Sequence, residues 1–240
     1  MRILVLQHAL VEHPGAFRKF IEEDGHEWCP VHLDQGEALP KLEDFDALWV
    51  MGGPMEVWEE DKYPWLPDEK IMIREGVQER GMPFLGLCLG HQLLAEALGG
   101  KCGKAEHSEI GLMEVSLTES GASGIIFDDF PQKFKCLQWH GSEIKKMPPG
   151  AECLATSPVC GVQAMSWGPR AYSMQFHIEV EFDTVENWAV IPSYQDGLQT
   201  ALGQGGVEIL KKDCMENMFE FNRLAERFYI NWLQTAAQVS

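Results

Sequence analysis

Apolar positions along the chain fall into two textures. In the first, short apolar runs at 2–7 (RILVLQ), 46–51 (DALWVM) and 83–87 (PFLGL) end at glycine, cysteine or polar residues. Runs of this length with no polar alternation read as strands buried on both faces of a parallel sheet. A shorter strand is expected around Trp28–Leu33. Between the strands lie helix candidates: Gly15–Glu23, a stretch over 66–80 with apolar Ile71, Ile73 and Val77, and LGHQLLAEALGG after Cys88. Strands alternating with amphipathic helices predict βαβ units. From about residue 109 the second texture begins. Short strands are expected at 110–117, 134–139, 151–156, 161–167 and 171–176, separated by turns such as Pro148-Pro149-Gly150 and Gly168-Pro169. These should add antiparallel strands. Past residue 182 the chain turns helical. Ile209, Leu210, Met218, Phe221, Leu224, Phe228 and Leu233 mostly share one face of a helix over 208–235, and the Gly203–Gly206 cluster predicts a break before it. With no internal repeat and no low-complexity linker, residues 1–240 read as one domain, a core over 1–182 with a helical extension over 183–240.

Composition narrows the possibilities. The chain has 240 residues, of which 45% are apolar, so intrinsic disorder is excluded despite a formal charge of −18. With 19 basic against 37 acidic residues, nucleic acid and anionic membrane surfaces are disfavoured as partners. The first apolar run breaks at Gln7 and His8, with no small-residue cleavage site after it, so it reads as a buried strand and not a signal peptide. No apolar stretch approaches the roughly 18 residues that span a bilayer. Seven cysteines, none spaced as CxxC, point to reduced thiols in a cytoplasmic protein. Six are expected to pack as small hydrophobes; the surroundings of Cys88 single it out.

Cys88 lies in Gly86-Leu87-Cys88-Leu89-Gly90-His91-Gln92, where an apolar strand meets a helix start. This has the form of a nucleophile elbow with cysteine in place of serine. Small neighbours let the nucleophile point out of the sheet. The helix N-terminus favours the thiolate, and backbone N–H groups there can hold an oxyanion. By itself the pattern fits a buried cysteine between packing glycines equally well. A second segment, Met174-Gln175-Phe176-His177-Ile178-Glu179, ends a strand with a histidine and a carboxylate two residues later. His177 can serve as the base and Glu179 as its orienter, although a structural histidine beside a surface glutamate fits too. A third, Gly52-Gly53-Pro54, is either a plain turn or a donor of an N–H to an oxyanion.

Together, in this order, GGP, GLCLGHQ and QFHIE resemble the class I glutamine amidotransferases of the Cys-His-Glu triad type. Gly99-Gly100 after the elbow helix and Glu109-Ile110-Gly111 before the next strand add to the match, which covers residues 1 to about 180. GGPMEVWEEDKYPWL and LQWHGSEIKKMPPGAE place it among stand-alone members similar to the amidotransferase domain of GMP synthase; plant γ-glutamyl peptidases are similar too. The resemblance implies a flavodoxin-like three-layer α/β/α fold: a central, mostly parallel sheet, added antiparallel strands and a helical C-terminal tail. It implies that Cys88 attacks the amide carbon of glutamine or a related γ-glutamyl amide, that His177 moves the proton and that Glu179 orients it. Backbone N–H groups of Gly53 and Leu89 would form the oxyanion hole, and Gln92, Gly141 and Ser142 would contact the substrate. A γ-glutamyl thioester would form and water would release glutamate. One departure stands out: the family usually has proline between the histidine and the glutamate, and here it is Ile178.

The same resemblance leaves two forms open. In one, the chain supplies ammonia to a separate synthetase subunit. In the other, it works alone as a glutaminase or γ-glutamyl peptidase. A non-catalytic member of the fold is the other class, and the intact Cys88, His177 and Glu179 argue against it. The extension is expected either to close the pocket or to make a homodimer; monomer and homodimer both stay open. No metal and no cofactor are expected, because no His/Cys/Asp spacing and no GxxxxGK[ST] or GxGxxG pattern appears. His140 is as readily structural as pocket-lining. His8 and His13 follow the first strand at the sheet edge, Trp58 and Trp65 are expected as cover, and His91 is expected to point away from the thiol.

Overall fold

The computed structural model describes residues 1–237. In chain order it contains β1 (Arg2–Gln7), α1 (Phe17–Glu23), β2 (Glu27–His32), β3 (Ala47–Val50), α2 (Leu66–Arg74), β4 (Phe84–Leu87), α3 (Leu89–Ala97) and β5 (Lys101–Leu117). There follow α4 (Glu119–Ser123), β6 (Lys133–Lys146), β7 (Ala151–Thr156), β8 (Ala164–Trp167), β9 (Ala171–Met174), α5 (Thr184–Trp188), α6 (Pro192–Leu202) and α7 (Gly206–Ala236). The nine strands form one sheet in the order β2-β1-β3-β4-β9-β8-β7-β5-β6. The first five are parallel, and their order is that of a flavodoxin-like doubly wound sheet. From β9 onward each pairing is antiparallel.

Strand periodicity explains the unbroken apolar runs. Ile3, Val5, Ala47 and Trp49 enter one core layer with α1 and α7, while Leu4, Leu6, Leu48 and Val50 enter the other with α2 and α3. The central strands β1 and β3 are therefore covered on both faces, while the edge strand β2 stays partly exposed. Trp232 of α7 meets Trp49 edge to face at 5.0 Å, so the C-terminal extension is built into the first layer. A third cluster joins Leu137 and Trp139 of β6 to Val185, Trp188, Leu198 and Leu210 of the extension.

Several expected boundaries move, among them the strand expected at 134–139, which runs over Lys133–Lys146, and that at 171–176, which ends at Met174. The helix expected over 66–80 loosens into a π-type turn at Glu75–Glu79. Glu109-Ile110-Gly111 lies inside β5, not before a strand, because β5 and β6 form a long antiparallel hairpin whose middle is irregular between Lys104 and Glu109. The strand expected at 161–167 shortens to Ala164–Trp167. No helix among the described residues is long and apolar enough to cross a membrane.

Candidate active site

The carboxyl ends of β3 and β4 open on one cavity, closed by the β5–β6 hairpin and α6, at the edge where open α/β sheets bind ligands. At the end of β4 the chain folds back through Cys88, whose φ of 50° and ψ of −101° are rare for a residue with a side chain. Such a conformation costs about 1–3 kcal/mol and persists only where its surroundings enforce it. Here they do. The Cys88 N–H donates to the Met174 carbonyl (2.9 Å), and the Gly90 N–H donates to that of Met51 (3.2 Å). A Cβ at Gly90 would overlap the Val50 carbonyl oxygen, and one at Gly86 would lie 2.5 Å from the Gly90 oxygen. Helix α3 can sit this close to β3 and β4 only because both positions are glycine.

The second arm leaves β9. His177 is 2% exposed and its Nδ1–H donates to Glu179 Oε1 at 2.5 Å. The Ile178 N–H donates to Glu179 Oε2 at 2.9 Å, a bond that proline could not make. Isoleucine at this departure from the family pattern therefore adds a restraint on the carboxylate. The Glu179 carbonyl accepts from the Ala16 N–H at 2.9 Å, and Gly15 leaves room for that approach. Trp188 stands edge-on to the imidazole at 4.6 Å. Burial opposes protonation of His177, but the Glu179 charge and hydrogen bonds with Cys88 and Glu179 outweigh it, so its pKa sits well above the ordinary histidine value. The fold thus brings Cys88, His177 and Glu179 to one place.

The cavity, about 200 Å³, is lined by Cys88, Gly53, Leu89, Gln92, Gly141 and Ser142 among others. It lies below the range of about 300–1,000 Å³ usual for drug-sized ligands and suits an amino acid. The N–H groups of Gly53 and Leu89 find no protein acceptor among the described residues and border the space beside Cys88. A Cβ at Gly53 would come within 2.7 Å of His8 Cβ and Met55 Sδ. Gln92 Nε2 donates to the Ser142 carbonyl and to Gln175 Oε1.

The remaining histidines sort by partner. Both ring nitrogens of His8 donate, to the Gly52 carbonyl (2.9 Å) and to Glu69 Oε1 (2.8 Å), so this buried imidazolium braces the Gly52-Gly53 turn. His91 turns away from the thiol toward Ser173 and the Val162 carbonyl, and burial pushes its pKa down to about 3. His13 is half-buried beside Glu181. Trp65 packs on the second core layer, while Trp58 is 42% exposed.

Several residues at the site escaped the sequence reading. Gln175 Nε2 donates to Cys88 Sγ at 3.5 Å. Glu56 accepts from Ser142 Oγ at 2.6 Å on the pocket wall. Glu12 is buried after β1, and burial raises its carboxyl pKa; Tyr194 of α6 donates its phenol proton to it at 2.5 Å. Gln175 sat within the quoted QFHIE segment and could have been noticed there. Nothing local marks Glu12 or Tyr194, which are distant in sequence.

A second Cys-His-Glu group reaches the cavity through His140, which lines it. Glu109, His140 and Cys160 bring their donor atoms within 4.8 Å of one another, all buried. The sequence carried no metal spacing because the three come from β5, β6 and the β7–β8 loop. His140 Nδ1–H donates to the Ser142 carbonyl, and its Nε2 lies 3.2 Å from Glu109 Oε2 without a hydrogen bond to it; that oxygen accepts from Gln163 Nε2. Sulfur, imidazole and carboxylate form a donor set that a zinc ion could take, and His140 Nε2 is buried there without a hydrogen-bond partner among the described residues. Burial pushes the Cys160 thiol up to about 12.

Comparison with known proteins places this geometry. The family model for Glutamine amidotransferase class-I matches residues 25–187. The chain is 31% identical over 234 residues, 95% of both sequences, to the glutamine amidotransferase-like protein YfeJ of Salmonella typhimurium. It is 40% identical over 109 residues to a subunit of the glutamine-hydrolyzing GMP synthase of Thermococcus kodakarensis, spanning 45% of this chain and 56% of that one. A crystal structure of a glutamine amidotransferase from Thermotoga maritima superposes with a TM-score of 0.86 at 28% identity, covering 99% of each chain. One from Methylobacillus flagellatus gives 0.86 at 26% identity, covering 100% of this chain and 96% of that one.

Proposed function

The chain belongs to the class I glutamine amidotransferase family, and from that premise we propose that it hydrolyses the side-chain amide of glutamine, or a related γ-glutamyl amide, through Cys88. The Cys88 elbow facing the buried His177–Glu179 pair, at the wall of an amino-acid-sized cavity, is the observation that carries this reading. The Cys88 thiolate attacks the amide carbon, forming the C–S bond. The developing oxyanion accepts from the Gly53 and Leu89 N–H groups. His177 gives its proton to the departing nitrogen, the C–N bond breaks and ammonia leaves. Water then attacks the γ-glutamyl thioester and loses a proton to His177. The C–S bond breaks, and glutamate departs from a regenerated thiolate. Glu179 fixes the imidazole orientation throughout. Gln92, Gly141 and Ser142 hold the substrate, with Glu56 bracing the Ser142 hydroxyl.

The test is release of glutamate from glutamine by the purified protein, with Cys88→Ala as control. Wild type should release it and the variant should not. Equal inactivity, with no alkylation of Cys88 by a γ-glutamyl chloromethyl ketone, would sink the reading. The Thermococcus relative bears the name of a GMP synthase component, which motivates a further form in which the ammonia passes to a separate synthetase polypeptide. Co-purification with an ATP-dependent ligase, and glutamine hydrolysis that rises in its presence, would support that form.

A further inference from the structure

Helix α6 forms one wall of the cavity through Ser193, Tyr194 and Gly197. It lies beyond the 25–187 segment that the family model matches. Its seat is firm. Trp139 Nε1–H donates to the Tyr194 carbonyl at 3.3 Å, and the two rings lie 5.7 Å apart. A Cβ at Gly197 would approach Ile110 Cδ1 to 3.0 Å, so the helix already rests against β5.

Chemistry orients the cavity around this wall. The oxyanion must face Gly53 and Leu89, and the glutamyl stem must run toward Gln92 and Ser142. The leaving nitrogen must face His177, which supplies its proton. Around His177 the structure packs Trp188 at 4.6 Å and, within charge range, the Glu12 carboxylate. Tyr194 touches both: its ring is 6.2 Å from that of Trp188, and its hydroxyl is bonded to Glu12. Tyr194 therefore stands where a leaving group larger than ammonia would have to go.

We propose that Tyr194 is a specificity-determining residue that closes the leaving-group end of the pocket and favours primary amides over γ-glutamyl peptides. The proposal rests on the reading that Cys88 attacks a γ-glutamyl amide. The hydrogen bond to Glu12 and the flanking tryptophans hold the ring across the space that a peptide nitrogen's substituent would occupy. Rejection by a fixed wall discriminates without weakening the contacts to the common glutamyl part.

The experiment compares kcat/KM for glutamine and for γ-glutamyl-alanine in wild type, Tyr194→Ala and Tyr194→Phe. Wild type should prefer glutamine. Tyr194→Ala should raise the ratio of dipeptide to glutamine turnover at least tenfold. Tyr194→Phe, which keeps the ring, should hold that ratio within threefold. Should Tyr194→Ala not fold by circular dichroism, Tyr194→Leu makes the same comparison, and its ratio should rise more than threefold above that of Tyr194→Phe. A ratio unchanged in the folded truncation variant, or a wild type as fast on the dipeptide as on glutamine, overturns the proposal alone. No glutamate from either substrate overturns it together with the reading it rests on.

Discussion

The two arms of the site are held by different means. The nucleophile arm, from Gly86 to Gly90, is fixed by backbone: a strained φ at Cys88, two glycines in close approach and main-chain bonds to Met174 and Met51. The base arm, from His177 to Glu179, is tied by main-chain bonds to Leu137 and Ala16 and depends in addition on side chains gathered from across the chain, with Trp188 against the ring and Glu12 in charge range. An arm held by backbone alone tolerates no added atom, whereas one that also leans on side chains loses function by steps as those side chains are changed. Substitutions on each arm can break or refine that contrast.

The largest effect is expected at Gly90→Ala. Its methyl group would overlap the Val50 carbonyl, forcing α3 off β3. Urea unfolding should show a loss of about 3 kcal/mol or more, with glutaminase activity gone. A stable, active variant would contradict the backbone account of this arm.

Glu179→Gln comes next. It keeps the shape but removes the charge that favours imidazolium, so kcat/KM should fall by about 10³–10⁴-fold with the fold intact. The pH profile sharpens this. Since the His177 pKa is raised above 6.5, the wild-type alkaline limb should lie well above that value, and in Glu179→Gln it should move to lower pH. The sign for stability follows the same shift. The protonated ring contributes in full below about 6.5, and that contribution is lost as pH rises through the raised folded value. Wild type minus His177→Gln in urea unfolding at several pH values should show this decline, and a flat difference would contradict it.

Ile178→Pro is expected to be milder. It deletes the N–H donated to Glu179 Oε2 while keeping the extended backbone, so glutamine hydrolysis should fall by no more than about tenfold, the scale of one such hydrogen bond. A collapse to the level of Glu179→Gln would mean that the carboxylate depends on this bond far more than on His177. Smallest of all, Cys29→Ser and Cys153→Ser, neither fully buried, should change stability by under about 0.5 kcal/mol and leave glutamine turnover unaltered.

This contrast also explains what could be read from the sequence. Strain confined to five residues leaves a local trace, so the glycines around Cys88 were legible. So were the strands at 2–7 and 151–156, whose bounds the structure reproduces. His177 and Glu179 were visible because they follow one strand. Glu12, Trp188 and Tyr194 were not, because each is an ordinary residue in its own segment and acquires meaning only through packing. The long β5–β6 hairpin was split for a similar reason: its exposed middle, Lys104 to His107, lacks the apolar alternation that marked its ends.

The hydrogen bond between Tyr194 and Glu12 also sets a clock. Its partners are 182 residues apart, so at a synthesis rate of about 5–20 residues per second the first waits roughly 10–40 s for the second. Helix α7, whose Trp232 packs on Trp49 in the first core layer, is made later still, so the core layer and the pocket wall are both completed only near the end of synthesis. A chain stopped before α6 would therefore lack the α7 side of that layer as well as the wall, and the surroundings that enforce the strained turn at Cys88 are complete only in the full-length chain.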